Sequence, residues 1–371
     1  MSGLKLLLAP NENTKPWLKI FVDTITARAA NFTGQFSVQD LQVNGNLQVA
    51  GFINSTSTQE TVGSLMSTTD FPTGYALPVG TGGTIYTFST TLNKIVVSGL
   101  SGANTAFQTA DSVTGVQLLT PFSNPAIVWS PTLALFSGVD GAGTAVYTSP
   151  SGNNGTWVLG TPAATAFSVN SAIWNSVFGR FYFPNSDPIN TIFSSLNGSV
   201  YSPIPFTRVV QDFAYAPSGL GTGSGRLVCV GDNGSGYSDD GKSFTNGNTG
   251  ISMEAVVWSS YWKAFIALPR NGDRTRVYRS VDGINWTTPS APFAAGVNLR
   301  SIVWADALGV FIAAGDASTF WISKDGITWR QIARQVAGLS SYGGAYIQEW
   351  GVFNFSGLGG FMASQPRRYI L

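Results

Sequence analysis

The chain has 371 residues, of which 11% are charged and 13% aromatic, with 43 glycines and a formal net charge of +1. An average soluble chain carries about 25% charged residues, so Ser, Thr, Asn, Gln and Gly must cover most of this surface, and the lack of any long run of one sign argues against nucleic-acid binding. The chain contains no histidine, which excludes a His-based triad, a His general base and any His-containing metal site; no cofactor is expected.

In chain order, residues 1–30 read as an anchor segment centred on the apolar run Trp17-Leu18-Lys19-Ile20-Phe21-Val22. A run of this kind calls for a partner to cover it. Residues 4–9 are apolar too, but far shorter than a membrane span, and the thin basic start makes a poor signal peptide. The chain is therefore expected to reach its destination without the usual secretory route.

Residues 31–56 change character. Phe32, Gly34, Phe36 and Val38 alternate with other residues, and two six-residue units follow, Asp40-Leu41-Gln42-Val43-Asn44-Gly45 and Asn46-Leu47-Gln48-Val49-Ala50-Gly51. Alternation gives each strand one apolar face, and so short a segment cannot bury that face alone. The Leu-x-Val-x-Gly spacing resembles the shaft segments of phage tail-fibre and other virion fibre proteins. That resemblance implies a homotrimer in which Leu41, Val43, Leu47 and Val49 form the oligomerisation face; a hairpin docked on the following domain is the alternative. Residues 57–77, in a Ser- and Thr-rich stretch, read as a linker.

From residue 78 to 371 a repeat of about 43 residues takes over. Ser280-Val-Asp282-Gly283-Ile-Asn-Trp286 and Ser323-Lys-Asp325-Gly326-Ile-Thr-Trp329 share one pattern, and their tryptophans lie 43 residues apart. Ser238-Asp-Asp240-Gly241-Lys-Ser-Phe244 and Ser195-Leu-Asn197-Gly198-Ser-Val-Tyr201 are looser copies. The stretch from Ser149 to Trp157 has two extra residues, and eroded copies stand at Thr109-Ala-Asp111 and at residues 364–369. Before each turn come apolar runs, the first ending in an aromatic such as Trp129, Trp174, Tyr215, Trp258 or Trp304. Four short strands per unit predict an all-β fold, a seven-bladed β-propeller over residues 78–371.

These turns resemble Asp-boxes, the hairpin signature of sialidases, sortilin-type receptors and photosystem II assembly-factor propellers. The resemblance implies that Asp240, Asp282 and Asp325 bond within their own turns, that Gly241, Gly283 and Gly326 take a conformation a Cβ resists, and that Phe244, Trp286 and Trp329 pack between strands. Ser238, Ser280 and Ser323 open the same turns. These residues are structural, and none is assigned to catalysis; the once-per-blade aromatics are likewise read as core. The sole cysteine, Cys229, stands in the apolar run 227–230 as a packed thiol.

A sialidase would need a Tyr–Glu pair, an Asp and three arginines spread over several blades. This propeller offers Glu254 and Glu349, and its arginines crowd at Arg270, Arg274, Arg276 and Arg279. That cluster, expected on the face opposite the boxes, is a candidate patch for a host-surface glycan or protein partner. Anchor, shaft, linker and head together point to a virion structural protein assembled from the host cytoplasm, a fibre, spike or decoration joined through its N-terminus to other virion proteins. A glycan-processing enzyme and a non-catalytic assembly-factor propeller are the alternatives; no membrane span and no nucleic-acid partner are expected.

Overall fold

Apolar runs of four to seven residues, separated by Ser, Asn and Gly, are suited to strands buried on both faces, and strands are what they form. The structure, a computed structural model, describes residues 85–363 apart from short stretches at 99–104, 113–114, 123–125, 142, 162–170, 185–190, 218–224, 248–249, 271–273, 317–318, 333–339 and 359. The anchor, the shaft with Leu41, Val43, Leu47 and Val49, the linker, and the eroded copy at 364–369 lie outside the described residues.

The first blade holds β1 (Ile85–Ser89), β2 (Lys94–Ser98), β3 (Thr105–Thr109) and β4 (Val116–Leu119). The second holds β5 (Ala126–Ser130), β6 (Leu135–Val139), β7 (Val146–Ser149) and β8 (Val158–Leu159), and the third β9 (Ile173–Asn175), β10 (Arg180–Pro184), β11 (Thr191–Ser195) and β12 (Ser202–Pro205). The fourth runs through β13 (Val210–Ala216), β14 (Arg226–Gly231), β15 (Gly234–Ser238) and β16 (Thr245–Asn246). The fifth has β17 (Met253–Ser259), β18 (Ala264–Pro269), β19 (Val277–Ser280) and β20 (Thr287–Ser290), the sixth β21 (Leu299–Ala305), β22 (Val310–Gly315), β23 (Thr319–Ser323) and β24 (Arg330–Ile332). A last sheet has only β25 (Ser340–Ile347), β26 (Val352–Leu358) and β27 (Gly360–Ala363).

Within each sheet the strands pair antiparallel in sequence order, and the first strand of one sheet lies beside that of the next, with β10 rather than β9 meeting β13, until β25 meets both β21 and β1. The fold is an all-β propeller. The expected count of seven like blades is corrected: among the described residues there are six four-stranded blades, with a three-stranded sheet after them. The C-terminal copy is the most eroded in sequence, and its turn falls beyond the described residues. Apolar clusters fill the junctions, such as Val228, Val256 and Phe265 between the fourth and fifth blades and Ile95, Val97, Ile347 and Val352 where the last sheet meets the first blade.

Two turns recur in most units. In four blades the hairpin between first and second strands is capped by the side chain that ends the first strand: Ser89, Ser130 and Ser259 each accept an N–H three residues on at 3.1 Å, and Asn175 accepts that of Phe178 at 2.9 Å. One residue later the chain turns left-handed, at Asn93, Ala134, Gly179, Lys263, Gly309 and Gly351. The Ser-x-Asp-Gly turn joins the third and fourth strands. In the fifth blade Ser280 Oγ accepts the Gly283 N–H at 2.8 Å, while Asp282 Oδ1 accepts those of Ile284 and Asn285, both at 2.8 Å. Asp325 and Asp240 repeat the arrangement with Ile327 and Thr328, and with Lys242 and Ser243.

Each such turn is also held by the blade before it. Ser137 Oγ donates to the Gly198 carbonyl at 2.6 Å and lies 2.7 Å from the Tyr201 hydroxyl. Tyr182 donates to the Gly241 carbonyl at 2.8 Å, Arg226 Nη1 to that of Asp282 at 2.7 Å, and Trp262 Nε1 to that of Lys324 at 2.6 Å. Trp286 returns a bond to Ser235 Oγ at 2.9 Å. Phe244 packs edge-on to Tyr182 and Trp329 beside Phe293. The turn aromatics therefore face the preceding blade or a strand within reach of it. The other aromatic series pairs across strands inside four of the blades: Trp129, Trp174, Trp258 and Trp304 stand 4.4–4.7 Å, centroid to centroid, from Phe136, Phe181, Phe265 and Phe311, whereas Tyr215 meets Phe178 of the third blade.

The first blade has Ser112 where the other turns have glycine, at φ 61°, with its buried Oγ unpartnered. Ser112→Gly relieves the backbone and removes the orphan hydroxyl, and is expected to stabilise the fold by about 1 kcal/mol in denaturant unfolding. Gly283→Ala does the reverse: its Cβ would come within 2.3 Å of Val228 at φ +72°, and a loss of about 2 kcal/mol or more is expected in the same measurement.

Candidate functional site

The ends of the blades away from the Ser-x-Asp-Gly turns carry a different chemistry. Near the start of four first strands the pairing slips by one residue, between Val210 and Asp212, Met253 and Ala255, Leu299 and Ser301, and Ser341 and Gly343. Each slip is a β-bulge, which re-aims a side chain where a regular strand would alternate. The extra residues are Gln211, Glu254, Arg300 and Tyr342.

A second set comes from the ends of the second strands. Asp232, Arg270 and Asp316 occupy matching places, each donating its N–H to a carbonyl just before the neighbouring first strand, on Val209, Ser252 and Asn298, at 2.9–3.1 Å. The two sets interleave into a chain of alternating charge across three blades. Asp232 lies 3.2 Å from Arg270 Nε, Glu254 3.8 Å from both Arg270 and Arg300, and Asp316 2.7 Å from Arg300 Nε. Arg274 adds a bond to Asn298 Oδ1 at 2.5 Å.

Beside this chain lies a cavity of about 290 Å³ lined by Ser171, Asp212, Glu254, Arg270, Arg300 and Ser301, among others. Its shape follows from one repeated position, three residues before the first-strand aromatic, occupied by Ser171, Asp212, Ala255, Ser301 and Gly343 in successive sheets. Asp212 reaches both neighbours, accepting from Ser171 Oγ and from the Val256 N–H, each at 3.0 Å. Ala255 and Gly343 are too short to do the same. They flank Ser301, whose buried Oγ is left without a partner.

Electrostatics mark the same place. Burial raises the Asp212 carboxyl to about 6, against the opposing effect of the N–H groups of Val256 and Phe213 and the Ser171 hydroxyl. Glu254 is also raised by burial, which outweighs the opposing charges of Arg270, Arg300 and Arg274. The turn aspartates go the other way. Burial pushes Asp240 up, yet the N–H groups of Lys242 and Ser243 and the hydroxyls of Ser238 and Ser243 hold it at about 2; Asp282 and Asp325 are lowered by the same kind of balance.

The arginine cluster is split by strand geometry. Arg270 and Arg274 lie at the cavity end, Arg276 is exposed, and Arg279 sits opposite Ile266 on β19, next to the turn at the far end. About three residues of extended strand, roughly 10 Å, separate the last two, so the four do not form one patch. Glu254 and Glu349 are separated too, since Glu349 is exposed in the hairpin between β25 and β26, at the turn end. Gln211, Asp212, Arg300 and Ser301 went unnoticed in the sequence. Their signal was a polar residue recurring inside an apolar strand, as in Val210-Gln211-Asp212-Phe213 and Leu299-Arg300-Ser301-Ile302.

No family model and no curated protein matches the chain. Among solved structures it is similar to one described as YCF48 bound to D1 peptide, at 14% identity and a TM-score of 0.61 over 80% of this chain and 95% of that one. It is similar to virginiamycin B lyase from Staphylococcus aureus at 11% identity and a TM-score of 0.64, over 79% and 98%, and to a chain of the mitotic checkpoint complex at 12% and 0.59, over 88% and 99%. At these identities the likeness is one of fold.

The raised carboxyl has a thermodynamic consequence. A carboxyl that titrates at about 6 when folded, and near 3.9 when unfolded, is unfavourable to the fold while ionised. Stability should therefore rise as pH falls from 7 through 6 towards 4. Asp212→Asn can keep both neighbouring bonds without the charge. It is expected to gain up to about 2 kcal/mol over the parent chain at pH 7, and to lose most of that advantage by pH 4.5, in unfolding curves taken across this range.

Proposed function

We propose that the chain is a non-catalytic recognition protein of a virus particle, a propeller head whose polar cavity meets the ligand, carried on a trimeric N-terminal shaft. The three-stranded sheet then serves as the seventh blade, and the Ser-x-Asp-Gly turns are Asp-boxes that hold the ring. One observation carries the recognition reading: the polar cavity and its alternating chain of charges are assembled from several blades, at the end opposite those turns.

The chemistry favours binding over turnover. Asp212 is engaged by Ser171 and Val256, Glu254 stands between two guanidinium groups, and Glu349 lies at the other end of its sheet. Among the described residues the cavity holds no carboxylate clamp of three free arginines, because Arg300 is paired with Asp316. One lyase structure, with quinupristin, uses a variant described as catalytically inactive after replacement of a histidine by alanine, and this chain has no histidine. Peptide binding, as in the YCF48 structure, favours a partner-binding propeller as the second reading.

Mass measurement of the full chain in solution tests the particle reading. A trimer is expected, converted to monomer by Leu47→Asp with Val49→Asp while the propeller keeps its melting temperature. A stable monomeric parent chain contradicts it. Hydrolysis of a fluorogenic sialoside is expected to stay at background, and turnover abolished by Glu254→Gln would replace recognition with catalysis.

A further inference from the structure

Four observations at the cavity define its ligand chemistry. Arg270 presents a half-buried guanidinium whose Nη groups have no hydrogen-bond partner among the described residues, its close contacts being through Nε to Asp232 and Glu254. Glu254 sits beside it with both oxygens 3.8 Å from the nearest guanidinium nitrogens, beyond hydrogen-bond range. Its lone pairs face the cavity without a close donor. Ser301 Oγ is buried and unpartnered in the same wall, in a residue that is 7% exposed. The fourth is size: about 290 Å³ is at the small end for ligand sites and suits a single compact molecule of roughly a dozen heavy atoms.

Charge narrows the class. Asp212, Asp232, Glu254 and Asp316 face Arg270, Arg274 and Arg300, so the site is slightly negative before any ligand enters. An anion would add to that excess at Glu254, while a cation would sit against the guanidinium groups on either side of it. A neutral molecule with adjacent hydroxyls avoids both penalties. One hydroxyl can donate to Glu254 and its neighbour accept from Arg270 Nη, and a third can pair with Ser301.

We propose that this cavity binds a neutral hexose, as a free sugar or the terminal residue of an uncharged glycan, through Arg270, Glu254 and Ser301. The proposal rests on the recognition reading but not on the trimeric shaft. The small residues Ala255, Gly343 and Gly344 leave the room that the sugar ring takes up, and the bulge that re-aims Glu254 sets this acceptor beside Arg270.

Isothermal titration calorimetry of the full chain with the methyl glycosides of glucose, galactose and mannose, and with N-acetylneuraminic acid as the charged comparison, tests this directly. At least one neutral glycoside is expected to saturate one site per chain with a millimolar Kd. Glu254→Gln and Arg270→Ala should each weaken it about 10-fold or more, and Ser301→Ala several-fold. Arg279→Ala, at the other end of its blade, should leave the Kd unchanged. Because Ser301→Ala removes only an unpartnered hydroxyl, its effect is readable even if Arg270→Ala fails to fold. Absence of saturation by every neutral glycoside up to about 50 mM, tighter binding of the charged sugar, or neutral binding indifferent to both Glu254→Gln and Ser301→Ala would overturn the proposal. A trimer that binds no sugar defeats this inference and leaves the particle reading standing; a monomer that binds one does the opposite.

Discussion

The constraint on which the ring depends is that each blade must be held to the next without the continuous hydrogen bonding of a single sheet. Apolar burial supplies most of the attraction but no registry, because it is non-directional. The Ser-x-Asp-Gly turn supplies direction. Its own Asp and Ser fix the backbone, as in Asp282 with Ile284 and Asn285, so the turn presents a rigid carbonyl. A donor from the preceding blade then takes one of the turn's carbonyls: Ser137 and Tyr182 take that of the glycine, Arg226 that of Asp282, and Trp262 that of Lys324. Donor and acceptor both vary because the requirement is loose, a polar hydrogen directed at the turn from the blade before it.

This division of labour leaves the other end of the ring free. With blade-to-blade contacts secured near the turns, the opposite end can hold carboxylates and guanidinium groups that do little for stability, since partly exposed ion pairs contribute weakly. The raised titration of Asp212 and Glu254 has the same meaning: these groups sit where the fold gains little from their charge. The lowered aspartates of the turns are the opposite case, their charge satisfied by backbone donors.

The parts of the fold legible in the sequence were those with fixed chemistry. A left-handed residue after Ser-x-Asp requires glycine or tolerates strain, so the turn leaves a pattern at a 43-residue interval, and the Trp–Phe pairs leave aromatics at matching strand ends. The capped hairpins at Ser89, Ser130 and Ser259 were equally regular but blander, since a lone Ser before a Leu or Trp attracts no notice. The site was hard to read because a bulge has no residue requirement: Gln211, Glu254 and Arg300 share a place, not a type. Its ion pairs join residues far apart in the chain, such as Asp232 and Arg270. The run of arginines from 270 to 279 misled for the converse reason, since an extended strand carries sequence neighbours to opposite ends of the blade.

The turn end of the ring fastens blade to blade through directed hydrogen bonds. A double-mutant cycle on Ser137 and Tyr201, whose hydroxyls meet at 2.7 Å across the second and third blades, tests it most directly. Unfolding free energies of Ser137→Ala, Tyr201→Phe and the double variant should give a coupling of about 1 kcal/mol. A coupling indistinguishable from zero would contradict the claim that these turns are fastened by the blade before them.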